Sequence, residues 1–437
     1  MPHTTRSVDD PSAPRGFLTR RTGADAVTLL SVLMALRLGL PSQLVVGALG
    51  GLGSPATLLG LLFLGYWCWH RLHGGGPARA APANAAAGFF LAAVLASYAA
   101  GAARGIASEE LTLSTLAILV LAGWLGGFLL ASDGVTDIDR MRILVGRLAV
   151  FGAIFAGFGL LQFVTDQAWV DKLSIPGLVR NTQIYSVSLR GGFVRPFGTA
   201  IHPIEFGSVI AMLLPLTIVH GMLASPRRWF VWVPAVVTML AAEISLSRSA
   251  IVCVVVGLVL LWPALSRTQR LVGGVAVMVL GIVVFVAVPG MVATITSLFG
   301  GSTGDSSVTS RVDSYGMAVE LLGRYPLFGR GFGTFLPRYR IFDNQYLLVL
   351  VETGVIGTLA MVMLWAVPVF GVIGVIRRSA PGSPARLLAT GLLASSVVGA
   401  VGLALFDGFG FPMMPAVWFV VLGLAGACYR LARTTSS

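Results

Sequence analysis

Apolar runs punctuated by short polar or glycine-rich breaks recur along the whole chain, at 25–48, 54–70, 84–103, 110–131, 142–164, 203–222, 229–245, 249–265, 271–289, 346–376, 386–405 and 412–430. A helix rises about 1.5 Å per residue, so runs of roughly this length can cross a hydrocarbon core about 30 Å thick. The pattern predicts an all-α polytopic membrane protein with about 12 transmembrane helices. The first two runs are separated only by Gly50-Gly51-Leu52-Gly53, and the run 346–376 is long enough to tilt or to begin outside the bilayer. One transmembrane domain is expected over 25–430, flanked by polar tails at 1–24 and 431–437. The two longest interruptions, 165–202 and 290–345, lie on one face. No internal repeat of the kind many secondary transporters carry is evident.

Charge sharpens the picture. Only 11% of the residues are charged and mean hydropathy is +0.87, whereas soluble domains carry about a quarter charged residues. The isoelectric point near 10.6 invites a nucleic-acid reading, but a single lysine, Lys172, stands among 30 basic residues. The arginines punctuate apolar runs instead of forming a stripe, so they read as a topology signal and nucleic acid is excluded as a partner. Arg20, Arg21, Arg71, Arg140, Arg142, Arg227, Arg228, Arg267, Arg377, Arg378 and Arg430 all fall on one side of a twelve-span arrangement, which puts both termini in the cytoplasm. Arg20-Arg21 serves as a positive-inside anchor, since no small-residue cleavage site follows it. Cys68, Cys253 and Cys428 lie far apart inside apolar segments, without disulfide or ligand spacing.

The segments 165–202 and 290–345 break the charge rule, because Arg180, Arg190, Arg195, Arg311, Arg324, Arg330, Arg338 and Arg340 lie on the face where positive charge is normally sparse. Arg195 precedes His202-Pro203 and Glu205 at the mouth of a span, where it either snorkels to headgroups or binds an anion. Arg248 sits in a hairpin so short that it lies at or below the interface, with Glu243 near enough to pair with it; structural pairing and substrate contact both stay open. Ser310-x-x-Asp313 has a capping-box pattern, which places Arg311 in a first helical turn favourable to phosphate; a pair with Asp313 or a headgroup is the alternative. Gly329-Arg330-Gly331-Phe332-Gly333 fails nucleotide-loop spacing and reads as a tight turn carrying Arg330 back over the membrane. Asp343-Asn344-Gln345-Tyr346 opens the long span, with Asp343 a helix cap, an acceptor-orienting group or a base. No His, Asp or Glu cluster has metal-ligand spacing, so a metal-independent chemistry without a cofactor is expected.

The Arg195-Pro196-Phe197-Gly198-Thr199 segment, Ser310-Arg311-Val312-Asp313, the 325–333 turn and Asp343-Asn344 together resemble the O-antigen ligase and polymerase family of bacterial membrane glycosyltransferases. The resemblance covers about 190–360. It implies a GT-C-like inner-membrane enzyme that transfers a glycan from a polyprenyl-diphosphate-linked oligosaccharide to a hydroxyl of a glycan or glycolipid acceptor on the extracytoplasmic face, with membrane lipid around it. By position, Arg195 matches the arginine of the family's Arg-x-x-Gly motif, Arg311 the arginine opening the outer-loop helix, and Asp343-Asn344 the pair that in many ligases reads His-Asn. Arg195, Arg311 and Asp343 are thus expected to be catalytic. Arg248, Arg330, Arg338, Arg340, His202, Glu205, Asn344 and Tyr346 are expected to bind substrate. Displacement of a lipid diphosphate at the anomeric carbon would invert its configuration. A transporter or flippase of a lipid-linked or anionic substrate is the rival, although it would place charge near mid-membrane and not at one mouth.

Overall fold

The computed structural model describes residues 25–74, 81–181, 189–190, 193–224, 228–245, 247–287 and 306–434. The chain is a helical bundle of α1 (Ala26–Gly39), α2 (Pro55–Leu72), α3 (Pro82–Ala103), α4 (Ser108–Gly134), α5 (Ile138–Thr165), α6 (Pro203–Leu223), α7 (Val233–Ile244), α8 (Arg248–Leu261), α9 (Arg267–Ala287), α10 (Ser306–Arg324), α11 (Gln345–Arg378), α12 (Pro384–Leu403) and α13 (Met414–Thr434). Its strands are two-residue pairs: β1 (Leu44–Val45) runs antiparallel to β2 (Val179–Arg180), and β3 (Leu189–Arg190) to β4 (Phe193–Val194).

Among the described residues, seven helices, α3, α4, α5, α6, α11, α12 and α13, are long and apolar enough to cross a membrane. The count rises to eight if the 3₁₀ turn Gly47–Gly53 and α2, bent by 71°, make one span. The chain is a multi-pass membrane protein. Every expected apolar run coincides with a helix, but the run 25–48 does not stay helical. α1 stops at Gly39 before Leu40-Pro41, and the chain turns aside to pair β1 with β2. At 14 residues, α1 is only about 21 Å long. The tail expected from 431 is helical as far as Thr434, and the tail 1–24 lies outside the described residues.

α13 is the buried axis, packed against α3, α4, α6, α11 and α12, with 89% of its apolar window enclosed. Lipid tails are as apolar as leucine, so helices in a bilayer associate through close backbone packing instead of water exclusion. α2 and α4 show how close: a Cβ on Gly126 would sit 1.9 Å from the Gly60 carbonyl oxygen. Only hydrogen fits there. One end of the bundle collects Arg71 on Asp133 at 2.7 Å, Arg140 on Asp25, and Arg430 on the Val135 carbonyl at 2.6 Å. The opposite end carries the starts of α4, α6 and α11, where Arg195, Arg330, Arg338 and Arg340 gather.

Candidate active site

The Arg195 loop is held from beneath by Gln162, 1% exposed on α5. Its amide donates to the Gly198 carbonyl at 2.9 Å, and its oxygen accepts from the Phe197 and Gly198 amides at 3.1 and 2.8 Å. Gly198 has φ +59°, and a Cβ there would lie 2.8 Å from the Phe155 ring, so the Arg-x-x-Gly spacing is set by a left-handed turn that admits only glycine. Thr199 donates to the Leu38 carbonyl at 2.6 Å, which anchors the loop to α1. Arg195 is thereby held above the start of α6, half-buried.

His202 is the N-cap of α6. Its Nδ1 accepts from the Ile204 amide at 3.1 Å, so in the neutral ring the proton sits on Nε2. Burial pushes the imidazole below its ordinary pKa of 6.5, and the Arg195 charge pushes the same way. His202 is therefore a neutral N–H donor whose basic nitrogen is occupied. Glu205, one turn on, is wholly buried. It accepts from Ile201 at 3.1 Å and from Met413 and Met414 at 2.6 and 3.2 Å, stapling the first turn of α6 to the start of α13. Any ligand reaching it would have to break that staple.

Arg248 opens α8 behind the cap Ser247. α8 starts against α6: a Cβ on Gly207 would be 2.8 Å from Ala250. Arg248 consequently lies at the same end of the bundle as Arg195. Glu243 Oε2 is buried without a hydrogen-bond partner among the described residues.

The 325–333 turn performs a task the sequence did not disclose. α11 is broken at Gly354, with φ +65° and ψ −165°, and the turn takes over the hydrogen bonds lost at the break. The Arg330 and Gly331 amides donate to the Val351 and Glu352 carbonyls at 2.9 and 2.8 Å, while the Val355 amide donates to the Pro326 carbonyl at 2.9 Å. A Cβ on Gly354 would sit 2.5 Å from Leu327 backbone, and one on Gly329 2.3 Å from Glu352 backbone. An unwound turn inside a membrane protein must find such partners.

Arg330 does not project freely. Its Nη2 lies 2.9 Å from both Glu110 oxygens, on a carboxylate that also accepts from the Tyr339 hydroxyl, and its guanidinium stands 4.9 Å over the Tyr339 ring. Arg338 grips Glu109 at 3.0 and 3.1 Å. A phosphate could engage either arginine only in competition with these carboxylates. Arg104 stacks 4.4 Å over Tyr325 and donates to the Gly329 and Arg330 carbonyls. Tyr346 donates to the Ala400 carbonyl at 3.0 Å and so ties α11 to α12.

Arg340 Nε donates to Ser314 at 2.9 Å and reaches α10. Ser314 is one turn beyond position 311, so Arg340 lies against the helix that carries Arg311. The side chains of Ser310, Arg311 and Asp313 are outside the described residues. The capping box expected at Ser310 is not the helix start: α10 begins at Ser306, which puts position 311 beyond the first turn.

Asp343 is not the cap of α11 either. That role belongs to Asn344, whose Oδ1 accepts from the Tyr346 and Leu347 amides at 3.0 and 3.3 Å. Asp343 is exposed, with φ +52°, a conformation sparsely populated by residues other than glycine. Asp407, not singled out from the sequence, holds this corner: the amides of Phe342, Asp343 and Asn344 donate to it at 3.0, 3.3 and 2.8 Å. Burial raises the Asp407 carboxyl above its ordinary value and the Asp343 charge adds to that, while the three amides oppose it.

The loop 404–413 joins the two halves. Asp407 holds 342–344, the Phe409 amide donates to Gln345 at 2.7 Å, Phe411 lies 5.8 Å from the His202 ring, and Met413 donates to Glu205. Arg195 and His202 are thereby linked to Asp343 and Asn344 across more than 140 residues of sequence. Residues 233–362 match the O-antigen ligase family. The chain is O-antigen ligase- or polymerase-like over this segment, and the match supports glycan transfer of that general kind. The matched segment runs from the start of α7 to position 362, past the break in α11 at Gly354, and takes in Arg248, Arg330, Arg338, Arg340, Asp343, Asn344, Tyr346 and position 311. Arg195, His202 and Glu205 lie before it and Asp407 after it. No curated protein is significantly similar to the chain.

Of the residues that position this site, Gln162, Glu109, Glu110 and Asp407 escape a linear reading. The only local cue was the adjacent pair Glu109-Glu110 at a helix start, which is also an ordinary first-turn preference.

Proposed function

We propose that the chain transfers a glycan from a polyprenyl-diphosphate-linked oligosaccharide to an acceptor hydroxyl at the extracytoplasmic membrane surface. The observation that carries this is the convergence, through the loop 404–413, of the Arg195–His202 corner with the exposed Asp343 carboxylate. The acceptor oxygen attacks the anomeric carbon, the bond from that carbon to the diphosphate oxygen breaks, and configuration inverts. Negative charge then grows on the leaving oxygen. Arg195, Arg248, Arg340 and Arg311 supply fixed positive charge to it, and His202 Nε2–H is a further donor; such groups speed reaction when they meet the transition state more strongly than the ground state. Asp343 orients the hydroxyl and receives its proton as the new bond forms. The donor carries its own activation, so neither nucleotide nor metal enters the proposed step.

Support against the transport alternative comes from the break in α11, whose released carbonyls and amides are consumed by the 325–333 turn instead of lining an ion pathway. The deciding experiment supplies purified protein, in lipid vesicles with EDTA, with a polyprenyl-diphosphate oligosaccharide and follows glycan and carrier products. New glycosidic bonds of inverted configuration, with equimolar carrier diphosphate, are expected. Carrier movement across the vesicle without new bonds would overturn the proposal, and a ladder of lengthened glycans would distinguish a polymerase from a ligase.

A further inference from the structure

The end of the bundle opposite this site contains a groove of about 580 Å³ between the first half of α5 and the end of α6. Its α5 wall is one helical face, built from Asp139, Arg142, Ile143, Gly146, Arg147 and Val150. His220 and Ala224 close the α6 side. Charge and apolarity are segregated along the groove: the arginines stand toward the start of α5, and Val150 and Phe151 lie deeper. The apolar wall faces outward, with Ile143 41%, Val150 46% and Ile154 63% exposed, as expected where a spanning helix meets acyl chains.

The cationic end is under-neutralised. Arg140 is committed to Asp25. Arg142 donates to the Leu223 carbonyl and Arg147 Nη1 to Ser31 at 3.0 Å, and neither forms an ion pair among the described residues. Among the described residues, only Asp139 offers a carboxylate in the groove wall. Two guanidiniums at the membrane boundary, continuous with a lipid-facing apolar wall, complement a lipid with a net negative headgroup. A zwitterionic headgroup would bring its own cation beside them.

We propose that this groove binds an anionic glycerophospholipid, with its phosphate at Arg142 and Arg147 and an acyl chain along Val150 and Phe151. The test uses full-length protein in mixed micelles containing phosphatidylglycerol or phosphatidylcholine, with bound lipid counted by native mass spectrometry. Wild type is expected to retain phosphatidylglycerol in preference to phosphatidylcholine. Arg142→Gln with Arg147→Gln is expected to weaken that retention about thirtyfold, the effect of removing two boundary cations from an anionic lipid. Val150→Trp fills the apolar wall without touching charge and should weaken it as well, which keeps the test decisive if the double variant does not fold. Equal retention of the two lipids by wild type, or undiminished phosphatidylglycerol retention in Val150→Trp or in a folded double variant, would overturn the proposal. So would displacement of phosphatidylglycerol by equimolar undecaprenyl phosphate, which would make the groove a carrier site.

Discussion

Asp343 allows a separation of chemistry from architecture that is rare at a helix start. Its side chain makes no hydrogen bond to another described residue, the capping of α11 falls to Asn344, and only its backbone amide, at 3.3 Å from Asp407, contributes to the corner. Asp343→Asn preserves a residue that tolerates φ +52° and removes only the charge, so its effect on stability should stay within about 0.5 kcal/mol. Asp343→Gly removes the side chain and relieves the left-handed backbone, which offsets the extra entropy that glycine loses on folding, so stability should again stay within about 0.5 kcal/mol. If the carboxylate receives the acceptor proton, both variants should lose about a hundredfold or more in turnover, equivalent to about 2.7 kcal/mol in the barrier. Loss of rate would then accompany unchanged stability, which no structural role can produce. The assay pairs steady-state release of carrier diphosphate with thermal unfolding in the same detergent. Wild-type turnover in either folded variant would refute a role for Asp343 in the reaction.

Arg195→Ala and Arg311→Ala are each expected to abolish detectable transfer while leaving inserted, folded protein, with lysine rescuing poorly because it lacks the bidentate fork; near-normal turnover in either alanine variant counts against that arginine. Gly354→Ala should cost more than about 2 kcal/mol, because φ +65° with ψ −165° excludes a Cβ that would also strike Leu327 backbone at 2.5 Å; unchanged thermal unfolding would contradict the joint between α11 and the 325–333 turn. His202 is held below its ordinary pKa of 6.5, so the unfolded chain binds the proton more readily; its contribution to stability is complete above about pH 6.5 and is lost as pH falls below it. His202→Asn keeps a good cap and should remove that part of the pH dependence, as unfolding at pH 7.5 and 5.5 would reveal. For orientation, cysteines placed at Ser302 and Ser383 of cysteine-free protein should differ in reactivity toward an impermeant reagent in intact cells, with position 302 labelled and 383 protected; equal protection would break the assignment of 290–345 to the outer face.

Hydrophobic run length was sufficient to locate the apolar helices, though not the polar α10, since a segment in lipid must satisfy its own backbone and has few alternatives to a helix. It did not determine how far each one continues. The run 25–48 looks uniform, yet Gly39 and Pro41 end α1 and a distant strand at 179–180 captures the chain. Local rules also misplaced two helix starts by a short distance. Ser310 and Asp343 are chemically acceptable caps, but α10 is already helical at Ser306 and the cap of α11 is Asn344. At the site, the residues that define the corners were legible as arginines, glycines and carboxylates where a membrane protein should have few. Their partners were not.

Charge pairing is the clearest case of what only the tertiary structure decided. Arg195, Arg330, Arg338 and Arg340 are the same residue type on the same side of the membrane, and sequence offers no ground for ranking them. Folding brings Glu109 and Glu110, more than 200 positions away, onto Arg338 and Arg330, whereas Arg340 is turned to Ser314 and Arg195 is set beside His202. Asp407 and Gln162 likewise act only because distant loops bring backbone amides within about 3 Å of them. Apolar periodicity is a property of neighbours along the chain, so it can be read without the fold. Electrostatic and hydrogen-bond partnership falls off within a few ångströms in space and is indifferent to sequence separation, so it was settled only once the helices had packed.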